Sequence, residues 1–362
     1  MQKEILFNYF SKYSFKRYLT LLKVFHTLEN AWNANASELQ QTGWQPEIIQ
    51  AFLDFKKSID EEHIQKTLEK ENIKVITKES PLYPELLKYI FDPPLCLFFR
   101  GNLKNTAPSL AVVGTRKYTS YGRRVTEDMV KQLTRYGISI ISGLALGIDG
   151  IAHKAALEEN GYTLAVLGSG VDDKSITPTI HISLARRILD SDGCILSEYP
   201  PGTQATRYSF PMRNRLIAGM TLGTLVIEAP EKSGSLITAQ CALESGREVF
   251  AIPQNIYAPT ADGPNKLIQL GANCITNAED ILNTLNISLP QTERLSPSVN
   301  MPESSLETEI LACLSLQPHH VDEITKKISH SNKDILATLT IMEMKGMVRN
   351  LGGMTYSILG KI

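Results

Sequence analysis

Arg207, Phe210, Arg213 and Arg215 crowd the stretch Thr206 to Gly219, TRYSFPMRNRLIAG. A guanidinium presents a planar fork of donors that fits phosphate oxygens, and an aromatic face stacks on flat rings. The combination suits a ligand that carries both features, as a nucleotide does. Pro211 fits the first position of a helix, where its fixed φ is already helical and its missing N–H was not needed. The stretch therefore reads as a loop entering a helix whose free N–H groups and dipole would favour an anion.

Four other loops carry residues of related chemistry. AVVGTRKYTSYGRR (111–124) offers Gly114 for a tight turn, the Thr115 hydroxyl and the Arg116 fork, a phosphate cradle that lacks the G-x-G-x-x-G dinucleotide spacing. ISGLALGIDGIAHKAAL brings Gly143 and Gly147, which could let a ligand approach bare amides, and Asp149, placed to cap a helix that carries His153. No third ligand is spaced to turn Asp149 and His153 into a metal site. AVLGSGVDDKSITP repeats the glycine device at Gly168 and Gly170 and adds Lys174, although two aspartates beside that lysine oppose an anion. Its Ser169 is not set in a nucleophile elbow. LVIEAPEKSGSLITAQCALESG places Ser233, Gly234 and Ser235 at a helix start, where amides and hydroxyls suit a phosphate or sugar.

The elements that position these loops follow from the apolar pattern. SLAVVG, ISIISG, TLAVLG, CILSEY, TLVIEA, EVFAIP and ANCIT are strand-length apolar runs separated by helix-like stretches between about 108 and 285. Such alternation predicts an α/β fold with a parallel sheet between two helical layers. Ligands of such sheets sit beyond the carboxyl ends of the strands, where the loops above lie. Residues 1–75 read as helical, with RYLTLLKVF the clearest amphipathic stretch; 286–305 is rich in Pro, Ser and Asn and reads as a linker. Residues 306–362 carry three helical patterns and two short strands about Gly352 and Gly353, a pattern that fits a winged helix and equally a protein-docking module.

At 362 residues the chain calls for two or three domains. Its 37 Lys and Arg against 38 Asp and Glu create no global positive field, so a polyanion site has to be local. The N-terminal residues lack the pattern of a signal peptide and no apolar run is long enough to span a bilayer, so a soluble cytoplasmic protein is expected. The five cysteines have neither zinc nor disulfide spacing, and Cys194 and Cys274, in apolar runs, are expected to be buried.

VVGTRKYTSYG, SGLALGIDGIAHKAAL, AVLGSGVD, LSEYPPG, FPMRNRLIAGM, LVIEAPEKSGSLITAQCALESGREVFAIP and NKLIQLGA, in this order over about 110–285, resemble the DNA-processing protein A family (DprA or Smf) of bacterial natural transformation. The resemblance implies an extended Rossmann-like core over 76–285 without a cofactor, behind a small SAM-like helical domain (1–75) and ahead of the winged-helix domain (306–362). It implies a homodimer that binds single-stranded DNA, protects it, and loads a RecA-type recombinase onto it, with single-strand-binding protein as a further partner. The basic-x-x-Phe-Pro-x-Arg-Asn-Arg segment of the family falls on Arg207, Phe210, Pro211, Arg213, Asn214 and Arg215, and its phosphate turn on Gly114, Thr115 and Arg116. With the other loops, the expected DNA-binding set also includes Ser142, Gly143, Gly147, Gly168, Lys174, Ser233, Gly234 and Ser235.

The stretch VDDKSITPTIHISL departs from the family pattern: Thr177 precedes Pro178 where Tyr is usual, and His181 replaces Asn. Two other functions compete. A nucleoside-monophosphate phosphoribohydrolase would use a related sheet, and LGTLVIEAPEKSGS with Glu228 partly resembles its signature; a duplex-binding protein would be led by the C-terminal domain.

Overall fold

The computed structural model describes residues 1–104, 108–287, 304–314, 317–328 and 330–358. Six helices come first: α1 (Lys3–Asn8), α2 (Phe15–Phe25), α3 (Leu28–Asn33), α4 (Ala36–Gln40), α5 (Pro46–Ser58) and α6 (Glu61–Lys70). Local chemistry starts several of them. The Ser14 hydroxyl accepts the Arg17 N–H, Asn35 and Glu38 form a reciprocal capping box, and Pro46 opens α5. Phe7 stacks on Phe52 at 4.9 Å between centroids, and Trp32 and Trp44 meet Phe52 edge-on. Ile5 and Leu6 of α1 share a core with Phe98 and Ile195 of the sheet. Residues 1–289 consequently form one compact unit, and the expected boundary after residue 75 falls inside a strand.

That unit is built on nine strands: β1 (Lys74–Thr77), β2 (Cys96–Gly101), β3 (Ser109–Val113), β4 (Ser139–Ser142), β5 (Thr163–Leu167), β6 (Cys194–Ser197), β7 (Gly223–Val226), β8 (Glu248–Ala251) and β9 (Asn273–Cys274). Their order is β1-β2-β6-β5-β4-β3-β7-β8-β9. The seven strands from β3 to β9 run parallel, as the alternating pattern predicts, and β2 and β1 extend the β6 edge antiparallel. Between the strands lie α7 (Ser120–Arg135), α8 (Ile148–Glu158), α9 (Ile182–Asp190), α10 (Ser209–Gly219), α11 (Gly234–Glu244) and α12 (Asp262–Gln269), with α13 (Ala278–Thr284) after β9. Side chains of β3 alternate between two cores: Leu110 and Val112 pack with Val130, Leu133 and Ala152, whereas Ala111 and Val113 pack with Leu216 and Ala239. The sheet is thus buried on both faces. Cys194 is buried as expected, but Cys274 is exposed, because β9 is a two-residue edge strand.

The second unit contains α14 (Ser305–Leu314), β10 (His319–His320), α15 (Val321–Lys327), α16 (Asn332–Met344), β11 (Val348–Asn350) and β12 (Thr355–Ile358). Three helices and a small β10-β12-β11 sheet close over Ile310, Ile324, Ile335, Leu339 and Met342, the expected winged helix with β10 added. Of the expected linker, residues 288–303 lie outside the described residues.

Candidate functional site

From β3 the chain proceeds outward through β4 and β5 to β6, then returns to the other side of β3 for β7 and β8. The reversal places a crevice beyond the carboxyl ends of β3 and β7. Helix α7 starts there, with the Thr119 hydroxyl accepting the Gly122 N–H at 3.1 Å. In a nucleotide-binding fold such a helix start would receive phosphate. Here the Glu228 carboxylate fills it: Thr119 donates to it from its backbone N–H (2.9 Å) and from its hydroxyl (2.6 Å). Glu228 is fully buried, and a Cβ on Gly122 would stand 2.2 Å from its Oε2. The protein supplies its own anion at this point.

The loop glycines also serve the protein itself. A Cβ on Gly143 would lie 1.8 Å from Arg213 Nη1, and one on Gly147, where φ is +85°, would lie 2.3 Å from the Thr115 carbonyl oxygen. Gly168 is less confined, a Cβ there meeting the Ser209 carbonyl oxygen at 3.2 Å. At Gly143 and Gly147 the missing Cβ has a use within the protein, the close approach of one loop to the next. Ser142 is likewise buried, donating to the Val112 carbonyl at 2.7 Å. Gly114 packs on Ile148, and Thr115, buried, accepts the Lys117 N–H through its hydroxyl at 3.1 Å.

Helix α10 begins at Ser209, so Pro211 is its third residue rather than its first, still within the turn whose N–H groups lack helical partners. Its arginines turn inward. Arg213 is 4% exposed, donates through Nη1 to the Val166 carbonyl at 2.6 Å, and faces Asp149. Burial lowers the Arg213 pKa to about 10, opposed by the Asp149 charge. Burial raises that of Asp149, opposed by Arg213 and by the Gly143 N–H that it accepts at 3.1 Å. Asp149 thus braces the loop after β4 instead of capping α8, whose N-cap is Gly147. Arg215 pairs with Glu198 and lies 3.8 Å from Asp92. The forks expected of Arg213 and Arg215 to hold phosphates thus face inward, Arg213 beside the buried Asp149 and Arg215 against the largely covered Glu198. Asn214 donates to the Gly234 carbonyl at 3.1 Å and ties α10 to α11.

His153 is buried against the Thr163 hydroxyl at 2.7 Å. That hydroxyl donates its own proton to Ile140 O, so His153 must donate from Nδ1 and leave Nε2 bare. Burial pushes its pKa down to about 3. Among the described residues no group of His, Cys, Asp and Glu could hold a metal ion.

What remains outward is a smaller, sharper set. Arg116 is exposed, and its guanidinium carbon lies 5.5 Å from the centroid of the half-buried Phe210 ring. Arg207 is exposed over the Tyr208 ring at 4.7 Å and donates to the Tyr208 hydroxyl at 2.5 Å. Ser233 caps α11 and bonds the buried Ser235 at 2.7 Å, while Gly234 is exposed with open space about it. Lys174 is exposed; of the aspartates beside it, Asp173 is paired with Arg100 and Arg186, and Asp172 accepts from the Ser175 hydroxyl and the Gly202 N–H. Lys117, Tyr118, Tyr121 and Tyr208 are exposed around this edge and were not among the expected residues. The interleaving of basic and aromatic residues in TRKYTSYG and TRYSF was the available signal.

Residues 74–286 match the family model of DNA recombination-mediator protein A, and residues 295–354 that of the DprA winged helix domain. Protein Smf of Escherichia coli is 38% identical over 92% of this chain and 90% of its own length. The X-ray structure of DNA processing protein A from Streptococcus pneumoniae superposes with a TM-score of 0.68 at 34% identity, over 78% of this chain and 98% of that one. The DNA processing protein A of Helicobacter pylori, solved for its single-stranded DNA binding mode, superposes with a TM-score of 0.52 at 31% identity, over 59% of this chain and 96% of that one. Among the described residues, no helix is long and apolar enough to cross a membrane.

Proposed function

Because this chain belongs to the DNA recombination-mediator protein A family, we propose that it binds single-stranded DNA along the carboxyl edge of its large sheet. The Arg116–Phe210 pair carries the reading. An exposed guanidinium and a half-buried ring in contact offer one phosphate donor and one stacking face together, which is the sequence-tolerant mode of single-strand recognition. Lys117, Lys174, Arg207 and the open turn at Gly234 extend the edge on which a strand could lie. Arg213 and Arg215 act behind it, holding α10 in place.

In this reading the protein is a cytoplasmic homodimer that protects incoming single strands and loads a RecA-type recombinase onto them during natural transformation, with single-strand-binding protein as a further partner. It does so without cofactor and without catalysis. The observation supporting a binding role over phosphoribohydrolase chemistry is that Glu228, the carboxylate through which the sheet resembles those enzymes, is closed off against Thr119. Titration of a labelled oligothymidine across a salt series tests the binding, and release of free base from nucleoside monophosphates tests the enzyme. Tight, salt-sensitive binding with no base release is expected; base release without oligonucleotide binding would overturn the reading.

A further inference from the structure

Two arginine–aromatic contacts stand at the start of α10. Arg116 meets Phe210, and Arg207 lies over Tyr208, whose hydroxyl accepts the Arg207 Nη2 proton. Tyr208 is 67% exposed, and Arg207 is exposed as well. Its hydrogen bonds are local: its hydroxyl meets Arg207, and its backbone N–H meets the Thr206 hydroxyl at 3.3 Å. An aromatic held outward, with a guanidinium as its cover and no part in the hydrophobic cores, has little to do for stability. It repeats, two residues earlier, the arrangement of Arg116 and Phe210.

Resting on the proposed single-strand binding, we infer that Tyr208 is a second stacking platform, so that the start of α10 takes two nucleotides of one strand. Each aromatic would receive a base and each guanidinium a phosphate. The spacing fits. Two residues separate the ring-bearing positions by at most about 7 Å of chain, one to two steps of a strand that rises about 3.4 Å per stacked nucleotide. Arg207 covers the Tyr208 face in the absence of DNA, and a base would displace it toward its own phosphate. The tyrosine hydroxyl is not needed for stacking, whereas the ring is. Phosphate contact and stacking also leave different signatures, because only the first releases counterions.

The test compares Tyr208→Ala, Tyr208→Phe and Arg207→Ala with the unaltered protein, titrated with oligothymidine at several salt concentrations, with melting temperatures measured beside them. Tyr208→Ala should weaken binding about 5- to 150-fold, leaving the salt slope and the melting temperature unchanged. Tyr208→Phe should bind like the parent, and Arg207→Ala should make the slope shallower by about 0.7. Parent-like binding by Tyr208→Ala would overturn the second platform, and so would an equal loss in Tyr208→Phe, which would assign the effect to the hydroxyl. If Tyr208→Ala loses binding because it unfolds, the melting curve shows it, and Tyr208→Leu, which keeps apolar bulk without a flat face, takes its place: weakened binding with a parent-like melt supports the platform, and parent-like binding overturns it. Failure of the unaltered protein to bind the oligonucleotide would instead sink the single-strand reading itself.

Discussion

The Arg116 guanidinium, carried by the loop after β3, lies 5.5 Å from the centre of the Phe210 ring, carried by the first turn of α10. A contact between segments 94 residues apart makes one surface of a loop and a helix start, and it predicts that the two side chains act together on a bound strand. Arg116→Ala should weaken oligothymidine binding and reduce the magnitude of the log–log salt slope by about 0.7. Phe210→Ala should cost about 1–3 kcal/mol of affinity with the slope unchanged. Because the groups touch, the double variant should depart from additivity. Unchanged affinity and slope in Arg116→Ala would remove the phosphate assignment.

Arg213, three residues after Phe210, should behave in the opposite way. Its guanidinium is buried with Asp149 and the Val166 carbonyl, so Arg213→Ala leaves a buried carboxylate and a carbonyl without their partner. An unmet buried carbonyl costs about 1–3 kcal/mol, and loss of the positive charge that opposes the burial of Asp149 adds to it. A strongly lowered melting temperature is expected, with the salt slope of the remaining folded protein intact. A variant that melts like the parent but shows a shallower slope would return Arg213 to the phosphate surface.

Glu228 predicts a graded response. Glu228→Gln keeps an acceptor for Thr119, whereas Glu228→Ala leaves both Thr119 donors without the carboxylate and opens a cavity beside Gly122. The alanine variant should be the less stable of the two in urea unfolding, by more than the roughly 1–3 kcal/mol of an unmet buried donor. Equal stability of the two variants would argue against the carboxylate as the closure of the α7 start.

His153 sets a pH dependence. Its pKa falls from 6.5 in the unfolded chain to about 3 in the fold through burial, with the charges of His181 and Arg213 adding to the effect. Between those values the unfolded state binds the extra proton, so stability declines as pH falls below about 6.5, by up to roughly 1.4 kcal/mol per pH unit, until the folded group titrates. The raised pKa of Asp149 works in the other direction, since its folded form holds a proton longer. Comparing His153→Gln with the parent isolates the histidine: the variant should lose less stability between pH 6.5 and 4. Parallel stability curves would show that His153 is not held neutral.

The large sheet was legible because seven of its strands are unbroken apolar runs ending in polar loops, a pattern that burial on both faces requires. β1 and β2 escaped it. KVIT is short, and no helix alternates between it and CLFFRG, only the 3-10 turn Glu85–Tyr89. The loops were located correctly, but what their glycines admit was not legible. A missing Cβ serves a ligand and a neighbouring loop equally well, and Gly143 makes room for Arg213, 70 residues away. The same holds for the arginines of α10. Which of them turns inward depends on Asp149 and Glu198, charges whose proximity comes only from the fold.

The winged-helix unit offers the last prediction, and its charge decides it. Between residues 304 and 358 six Asp and Glu stand against five Lys and Arg, and Lys345 is paired with Glu307. The exposed positions of α16 include Ala337, Thr340, Ile341 and Met344, the last 85% exposed. A helix that reads duplex DNA needs basic and polar side chains aimed at phosphates and base edges, whereas Lys333 is the only Lys or Arg within α16, beside the exposed acids Asp334 and Glu343. Residues 1–289 meanwhile form a compact unit of their own and carry every residue of the proposed edge. A chain ending at residue 289 should therefore unfold cooperatively and bind oligothymidine with the affinity and salt slope of the full-length protein, while the full-length protein shows no preference for duplex over single strand. A shallower slope after truncation would mean that the winged helix supplies phosphate contacts, and a broad, non-cooperative melt would mean that the core needs residues beyond 289 to fold.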